Sequence, residues 1–143
     1  RAAIRGVFNN TAEEPVEGTG GPQGILLVDD EQPILQMLEA MLSFHGYEVT
    51  AANSAEAAQR AFAERQGGYD LTIVDMMMPG QSGPALVRNL LEKNPELNVV
   101  FMSGAANFDH RTQIEGVTSP QFLPKPFREE ELLKAIQSFY NRA

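Results

Sequence analysis

Three carboxylates, one hydroxyl and one ammonium group follow short apolar runs that are far apart in this sequence. Asp29 and Asp30 come directly after Ile-Leu-Leu-Val, Asp75 after Leu-Thr-Ile-Val, and Ser103 after Val-Val-Phe-Met, while Lys125 stands two residues after Phe-Leu. Clustered carboxylates repel one another unless a cation neutralises them, and hard oxygen ligands favour Mg²⁺. A lysine and a hydroxyl beside such a cation could bind a phosphoryl group.

These residues can meet only if the apolar runs are neighbouring strands of one sheet. Short apolar runs that alternate with amphipathic stretches predict parallel strands joined by crossover helices. Functional groups in such sheets gather at the carboxyl ends of the strands. We therefore predict an α/β fold with a doubly wound, five-stranded parallel sheet and five helices. The predicted strands are residues 25–29, 47–51, 70–75, 98–102 and 121–123.

The helices are predicted from apolar residues at helical spacing and from their end signals. The first spans about residues 32–45, and its apolar face is Ile34, Leu35, Leu38, Met41 and Leu42. The second begins at Asn53 or Ser54, and Glu56 is placed to complete a capping box from Asn53. Pro84 suits the first position of the third helix. The fourth, within 105–118, has weak periodicity, and the last spans about 129–140.

Composition excludes several classes of function. The chain has 143 residues, 43% hydrophobic and 21% charged, which is typical of one soluble globular domain. Nineteen acidic against eleven basic residues give a net charge of −8, which argues against direct binding to nucleic acid. The absence of cysteine excludes disulfides, thiolate catalysis and cysteine-ligated zinc. No apolar stretch is long enough to span a bilayer, so we expect a cytoplasmic domain without membrane contact.

Residues 1–23 differ in composition from the rest of the chain. Glycines and prolines follow Asn9-Asn10-Thr11, a composition that favours a flexible linker, while residues 2–8 could be the end of an upstream domain. The chain also begins with Arg1 instead of methionine, so we interpret it as a piece of a longer protein. We place the folded domain at residues 24–143.

Asp75 is the candidate nucleophile of the predicted pocket. A carboxylate can accept a phosphoryl group as a mixed anhydride that later hydrolyses. Lys125 lies between Pro124 and Pro126, which restrict the backbone at the base of its side chain. The Lys125–Pro126 peptide bond can be cis or trans, and the sequence leaves that choice open.

Four separate motifs give the chain a specific resemblance to a known family. They are Leu27–Glu31 (LVDDE), Asp75–Gly80 (DMMMPG) with Gly83, Met102–Gly104 (MSG) and Pro124–Phe127 (PKPF). Their order and spacing resemble the receiver domains of two-component phosphorelay systems, the fold of bacterial response regulators. The resemblance covers about residues 24–141 and implies a flavodoxin-like sheet with strand order 2-1-3-4-5.

The resemblance also implies a role for each site residue. Asp75 would be the phosphoacceptor, Ser103 and Lys125 would contact the phosphoryl group, and Ser103 and Phe122 would form the conformational switch. The implied Mg²⁺ ligands are Asp29, Asp30, Asp75 and the backbone carbonyl of Met77. Phe122 lacks a hydroxyl, so its inward movement would depend on packing alone. Met77 and Ala105 offer no polar group to hold an attacking water, and we hypothesise that they do not assist dephosphorylation.

The implied partner is a histidine kinase or a histidine phosphotransferase, and the domain itself would have self-phosphorylating and self-dephosphorylating chemistry. The MSG and PKPF motifs resemble the C-terminal receivers of hybrid sensor histidine kinases, so we expect kinase domains upstream and a parent chain that can be membrane-anchored. A free-standing single-domain regulator and a receiver-like binding module that is never phosphorylated remain alternatives. A phosphatase of the haloacid dehalogenase type is disfavoured, because Met77 stands where its second aspartate is expected.

Overall fold

The computed structural model describes residues 24–104, 117 and 120–140. Within these residues the chain forms five strands and four helices. In chain order they are β1 (Ile25–Val28), α1 (Gln32–Phe44), β2 (Val49–Ala52), α2 (Ala55–Glu64), β3 (Leu71–Asp75), α3 (Gly83–Lys93), β4 (Asn98–Ser103), β5 (Gln121–Pro124) and α4 (Glu129–Gln137).

The five strands form one parallel sheet in the order β2-β1-β3-β4-β5, which confirms the predicted fold. Val28 of β1 lies opposite Val74 of β3, so the residues that follow them emerge side by side. β4 pairs with β3, β5 pairs with β4, and both pairs are parallel. The carboxyl ends of β1, β3, β4 and β5 therefore share one edge of the sheet.

The helix predicted within residues 105–118 lies outside the described residues, except for Val117 at its end. The predicted linker at residues 1–23 also lies outside them. The four helices of the described part match the first three predicted helices and the last one. None of them combines the length and apolar character that a membrane span requires.

Two hydrophobic cores cover the two faces of the sheet. Leu26 and Val28 of β1 contribute to the first core, on the side of α2 and α3, while Ile25 and Leu27 contribute to the second, on the side of α1 and α4. All four side chains are fully buried, as expected for a central strand that is covered on both faces. The largest fully buried side chain from the described helices is Phe62 of α2, which lies in the first core.

Helix α2 begins at Ala55 with Ser54 as its N-cap, so the start at Ser54 is confirmed and the capping box predicted from Asn53 is wrong. The Ser54 hydroxyl accepts a hydrogen bond from the Ala57 backbone N–H at 3.0 Å. β2 continues through Ala52, which pairs with Val28, and this pairing leaves Ser54 as the last extended residue before the helix. The cap is therefore set by where β2 ends, because serine and asparagine are equally good cap residues.

Helix α3 begins one residue earlier than predicted, at Gly83, so Pro84 occupies its second position. The Ser82 hydroxyl accepts a hydrogen bond from the Ala85 backbone N–H at 3.2 Å and caps this helix. Gly83 is required here, because a Cβ atom at this position would lie 2.4 Å from the Asp75 backbone oxygen. The start of α3 is thus packed directly against the end of β3.

Candidate functional site

Lys125 lies between two buried carboxylates at the carboxyl edge of the sheet. Its Nζ is 3.0 Å from Asp29 Oδ2 and 3.4 Å from Asp75 Oδ2. Asp29 is fully buried and Asp75 is 6% exposed. The neighbouring strands β1 and β3 bring the two aspartates together, and the lysine reaches them from beyond β5. One ammonium group therefore links the ends of three strands.

The other oxygen of each buried carboxylate is held by the backbone of its own loop. The Glu31 N–H donates to Asp29 Oδ1 at 2.9 Å, and the Met77 N–H donates to Asp75 Oδ1 at 3.2 Å. In both cases the donor is two residues after the aspartate, a local pattern that aspartate favours at turns. Both carboxylates are thus oriented in the same way, with Oδ1 on the backbone and Oδ2 toward Lys125.

Asp30 completes a group of three carboxylates with Asp29 and Asp75. Each offers one oxygen, and these oxygens lie within 4.8 Å of one another. Asp30 is exposed, whereas the other two are buried, so the group opens toward solvent on the Asp30 side. Hard oxygen donors at such spacing suit Mg²⁺, which keeps several of its waters and needs few protein ligands. The donor set therefore fits the predicted metal.

Burial, hydrogen bonds and neighbouring charges together set the pKa values of Asp75 and Lys125. Burial raises the pKa of Asp75 above its usual value, and the neighbouring Asp29 charge adds to the increase, although the Met77 N–H and Lys125 act in the opposite direction. Burial lowers the pKa of Lys125, but its hydrogen bonds and ion pairs with the two aspartates outweigh that effect, so the pKa is raised overall. Lys125 consequently remains an ammonium, and Asp75 is a less stable anion than a free aspartate.

The backbone fixes the position of Lys125. Its N–H donates to the Ser103 backbone oxygen at 2.7 Å, which ties the residue to the end of β4. The Lys125–Pro126 peptide bond is cis, which answers the question that the sequence left open. Glu31 Oε1 also lies 4.0 Å from Lys125 Nζ. The sequence contained Glu31 within a recognised motif, but its spacing gave no indication of this contact.

The two residues predicted as a switch lie on neighbouring strands. Ser103 is the last residue of β4 and is buried, with 2% of its surface exposed. Phe122 on β5 is partly buried and stacks on Phe101 of β4, with ring centroids 5.7 Å apart. Phe101 is fully buried in the first core, so the Phe122 ring is in contact with that core. Their role in switching remains a prediction.

Met77 is held at the site by its backbone, while its side chain is 72% exposed. Met76 and Met78, on either side of it, are partly buried and pack against the first core. Use of the Met77 carbonyl as a metal ligand remains a prediction. Ala105, which we grouped with Met77 from the sequence, lies outside the described residues.

Comparison with known proteins identifies the family. The family model of the response regulator receiver domain matches residues 25–137. The chain belongs to this family. A solved receiver domain protein from Clostridium thermocellum is 33% identical, with a TM-score of 0.73, and the match covers 83% of this chain and 94% of that one. The receiver domain thus has both the sequence pattern and the fold of its relatives.

Two curated relatives show the range of proteins that contain similar receiver domains. The transcriptional regulatory protein YkoG of Bacillus subtilis is 32% identical over 114 residues, which are 80% of this chain and 49% of that protein. The sensor kinase CckA of Brucella abortus is 29% identical over 129 residues, which are 90% of this chain and 14% of that protein.

 The chain spans about half the length of most of the curated relatives it matches, and most of those are named as regulators.

Proposed function

We propose that this receiver domain takes a phosphoryl group from a phosphohistidine onto Asp75. The observation that carries the proposal is the shared lysine: Lys125 contacts one oxygen of Asp29 and one of Asp75, while Asp30 completes a carboxylate group that fits Mg²⁺. A carboxylate nucleophile, a fixed cation and a metal site are the parts that phosphoryl transfer to an aspartate requires.

In the proposed reaction an Asp75 carboxylate oxygen attacks phosphorus and the N–P bond of the phosphohistidine breaks. The electron pair of that bond stays on the imidazole nitrogen, and the product is a mixed anhydride. Attack by water on phosphorus later releases inorganic phosphate and restores the carboxylate. Burial favours the first step, because a poorly solvated Asp75 carboxylate is a better nucleophile than an exposed one.

Asp29, Asp30, Asp75 and the Met77 carbonyl would hold Mg²⁺, which when bound supplies positive charge next to the transferring oxygens. Lys125 would exchange its contact with Asp75 Oδ2 for a phosphoryl oxygen, and the hydrogen bond from its backbone N–H to the Ser103 oxygen would keep it at the site during that exchange. The Ser103 hydroxyl would bind a second phosphoryl oxygen. Phe122 would follow by repacking against Phe101 and the first core.

Acetyl phosphate with Mg²⁺ tests the proposal without a cognate kinase. The wild-type domain should gain the mass of one phosphoryl group, and the Asp75→Asn variant should gain none. Glu56→Gln is the matched control, because Glu56 is an exposed acid on α2 whose ion pair is with Arg60. Absence of uptake by the wild type, or uptake that persists in Asp75→Asn, would contradict the proposal. The former result would favour a binding module that is never phosphorylated.

We further propose that the domain, taken as residues 24–143 after a linker at 1–23, is a module of a hybrid histidine kinase. The similarity to the sensor kinase CckA and the motifs at Met102–Gly104 and Pro124–Phe127 support this parentage. A response regulator is the alternative, and the many relatives named as regulators support it. The gene sequence upstream of Arg1 decides between them: a histidine-containing helical domain and an ATP-binding domain are expected for the hybrid kinase.

A further inference from the structure

We propose that Met77 is a reversible oxidation site that controls how long the aspartyl phosphate survives. This inference rests on the proposed function of Asp75. The chain contains six methionines and no cysteine, so thioethers are its only sulfur groups that an oxidant can reach. Met77 is the most exposed of these methionines.

Exposure separates Met77 from most of the other methionines. Its side chain is 72% exposed, and that of Met37 on α1 is 59% exposed. The remaining four are buried or packed against the two cores: Met41, Met76, Met78 and Met102. A dissolved peroxide therefore meets Met77 and Met37 first, because oxidation of a thioether requires contact between the oxidant and the sulfur.

Position separates Met77 from Met37. The Met77 backbone N–H donates to Asp75 Oδ1 at 3.2 Å, so this residue is fixed two positions after the phosphoacceptor. Met37 lies in the middle of α1, and no hydrogen bond joins it to the pocket among the described residues. Oxidation of Met77 would add a polar oxygen to a residue whose backbone contacts Asp75, whereas Met37 has no such contact among the described residues.

The oxidation step needs only a hydroperoxide such as hydrogen peroxide. The sulfur lone pair attacks the terminal peroxide oxygen, the O–O bond breaks, and the displaced hydroxide takes up a proton to leave as water. The thioether loses two electrons and becomes a sulfoxide. A methionine sulfoxide reductase reverses the change with electrons from a dithiol, which takes the oxygen away as water and becomes a disulfide.

A sulfoxide oxygen is a strong hydrogen-bond acceptor, and a thioether sulfur is a weak one. Beside the phosphorylated Asp75 it can hold the water that attacks phosphorus, a task for which the thioether is unsuited. We expect oxidation to shorten the half-life of the aspartyl phosphate by about fivefold, the rate effect of one added neutral hydrogen bond in the transition state. Exposure to peroxide would then shorten the time for which the domain stays phosphorylated.

The test measures the half-life of the phosphorylated domain before and after brief treatment with hydrogen peroxide. The protein is first phosphorylated with acetyl phosphate and Mg²⁺ and then freed of excess reagent, and peptide mass spectrometry reports which methionines carry oxygen. Wild type and Met37→Leu should both show the shortened half-life after peroxide. Met77→Leu should show the same half-life before and after, and Met77→Gln, which carries an amide oxygen, should be short-lived without peroxide.

The outcomes separate this inference from the proposed function. Failure of the wild type to take up a phosphoryl group overturns both. Normal uptake with a half-life that peroxide does not shorten, or that shortens equally in Met77→Leu, overturns the oxidation site alone. Loss of the peroxide effect in Met37→Leu but not in Met77→Leu would assign it to the helix surface and likewise overturn the inference.

Discussion

The positive charge of Lys125 offsets the negative charges of two buried carboxylates in the pocket. Asp29 and Asp75 are both buried, and each directs one oxygen at the Lys125 ammonium. A buried ion pair adds little net stability, because desolvation offsets attraction, but removal of one partner leaves a buried charge unpaired. Removal of the lysine should therefore destabilise the folded domain.

Replacement of Lys125 by methionine should lower the free energy of unfolding by about 3 kcal/mol in the absence of Mg²⁺, the usual cost of an unpaired buried charge. Added Mg²⁺ should restore part of the loss, because a cation bound only by the folded state stabilises it. Urea unfolding with and without the ion measures both effects. Lys134→Met on the exposed side of α4 is the control. Equal losses in the two variants would contradict the prediction.

The loop between β3 and α3 is the element that positions Asp75, the proposed phosphoacceptor. Its tight geometry depends on Gly83, where a Cβ would lie 2.4 Å from the Asp75 backbone oxygen and 2.9 Å from Met76 Cα. Backbone atoms cannot move aside as a flexible side chain can. The approach of α3 to the end of β3 therefore sets where the Asp75 carboxylate stands.

Gly83→Ala should destabilise the domain by about 2 kcal/mol or more, because the clash forces the backbone to shift. It should also slow phosphorylation by acetyl phosphate, since the displaced atoms belong to Asp75 itself. Gly104→Ala provides a matched comparison, because a Cβ at Gly104 meets no atom of the described residues within 4 Å. Thermal unfolding and the rate of phosphoryl uptake measure the two effects. A Gly83 variant as stable as the Gly104 variant would show that the loop relaxes freely.

The Ser54 hydroxyl stabilises the start of α2 as its N-cap. Ser54→Ala should cost about 1 kcal/mol, because it removes the side-chain acceptor for the Ala57 N–H. Asn53→Ala should cost much less, since Asn53 is exposed and precedes the cap. Chemical denaturation of both variants compares the costs. A larger loss at Asn53 would restore the capping box that the sequence suggested.

Where the structure departs from the predictions made from sequence, the reason is the same each time: the feature depends on contacts between distant segments. The alternation of apolar runs was enough to predict the strands and hence the meeting of Asp29 and Asp75 at one edge. The choice of Ser54 over Asn53 depends on the register of β2 against β1, which is a long-range property. The contact of Glu31 with Lys125 and the cis bond at Pro126 likewise depend on packing between distant segments.

At the scale of the whole molecule, the two ends of the described domain meet on one residue. Asp70 accepts a hydrogen bond from the Gly24 N–H on Oδ1 at 3.0 Å, and its backbone oxygen accepts one from the Tyr140 hydroxyl at 3.3 Å. Asn98 donates to the same tyrosine oxygen. Asp70 precedes β3, so this junction lies at the amino edge of the sheet, opposite the phosphoryl pocket.

The buried phenol of Tyr140 makes this junction sensitive to alkali. Burial raises the pKa of Tyr140 from 10.0 to about 12. Its contribution to stability is fully present below pH 10.0 and is lost as the pH rises through 12. At about pH 11 the folded domain should therefore show less tyrosinate absorbance than the urea-unfolded chain. Tyr140→Phe should abolish that difference, and its survival in the variant would assign the shift to another tyrosine.

The junction at Asp70 also fixes where the chain enters and leaves the described domain. Because the Gly24 N–H and the Tyr140 hydroxyl both donate to Asp70, these two ends lie next to each other at the amino edge of the sheet. A domain with neighbouring ends can be inserted into a surface loop of another protein without distorting that protein. The edge of the sheet that carries Asp75 would then face away from the point of insertion.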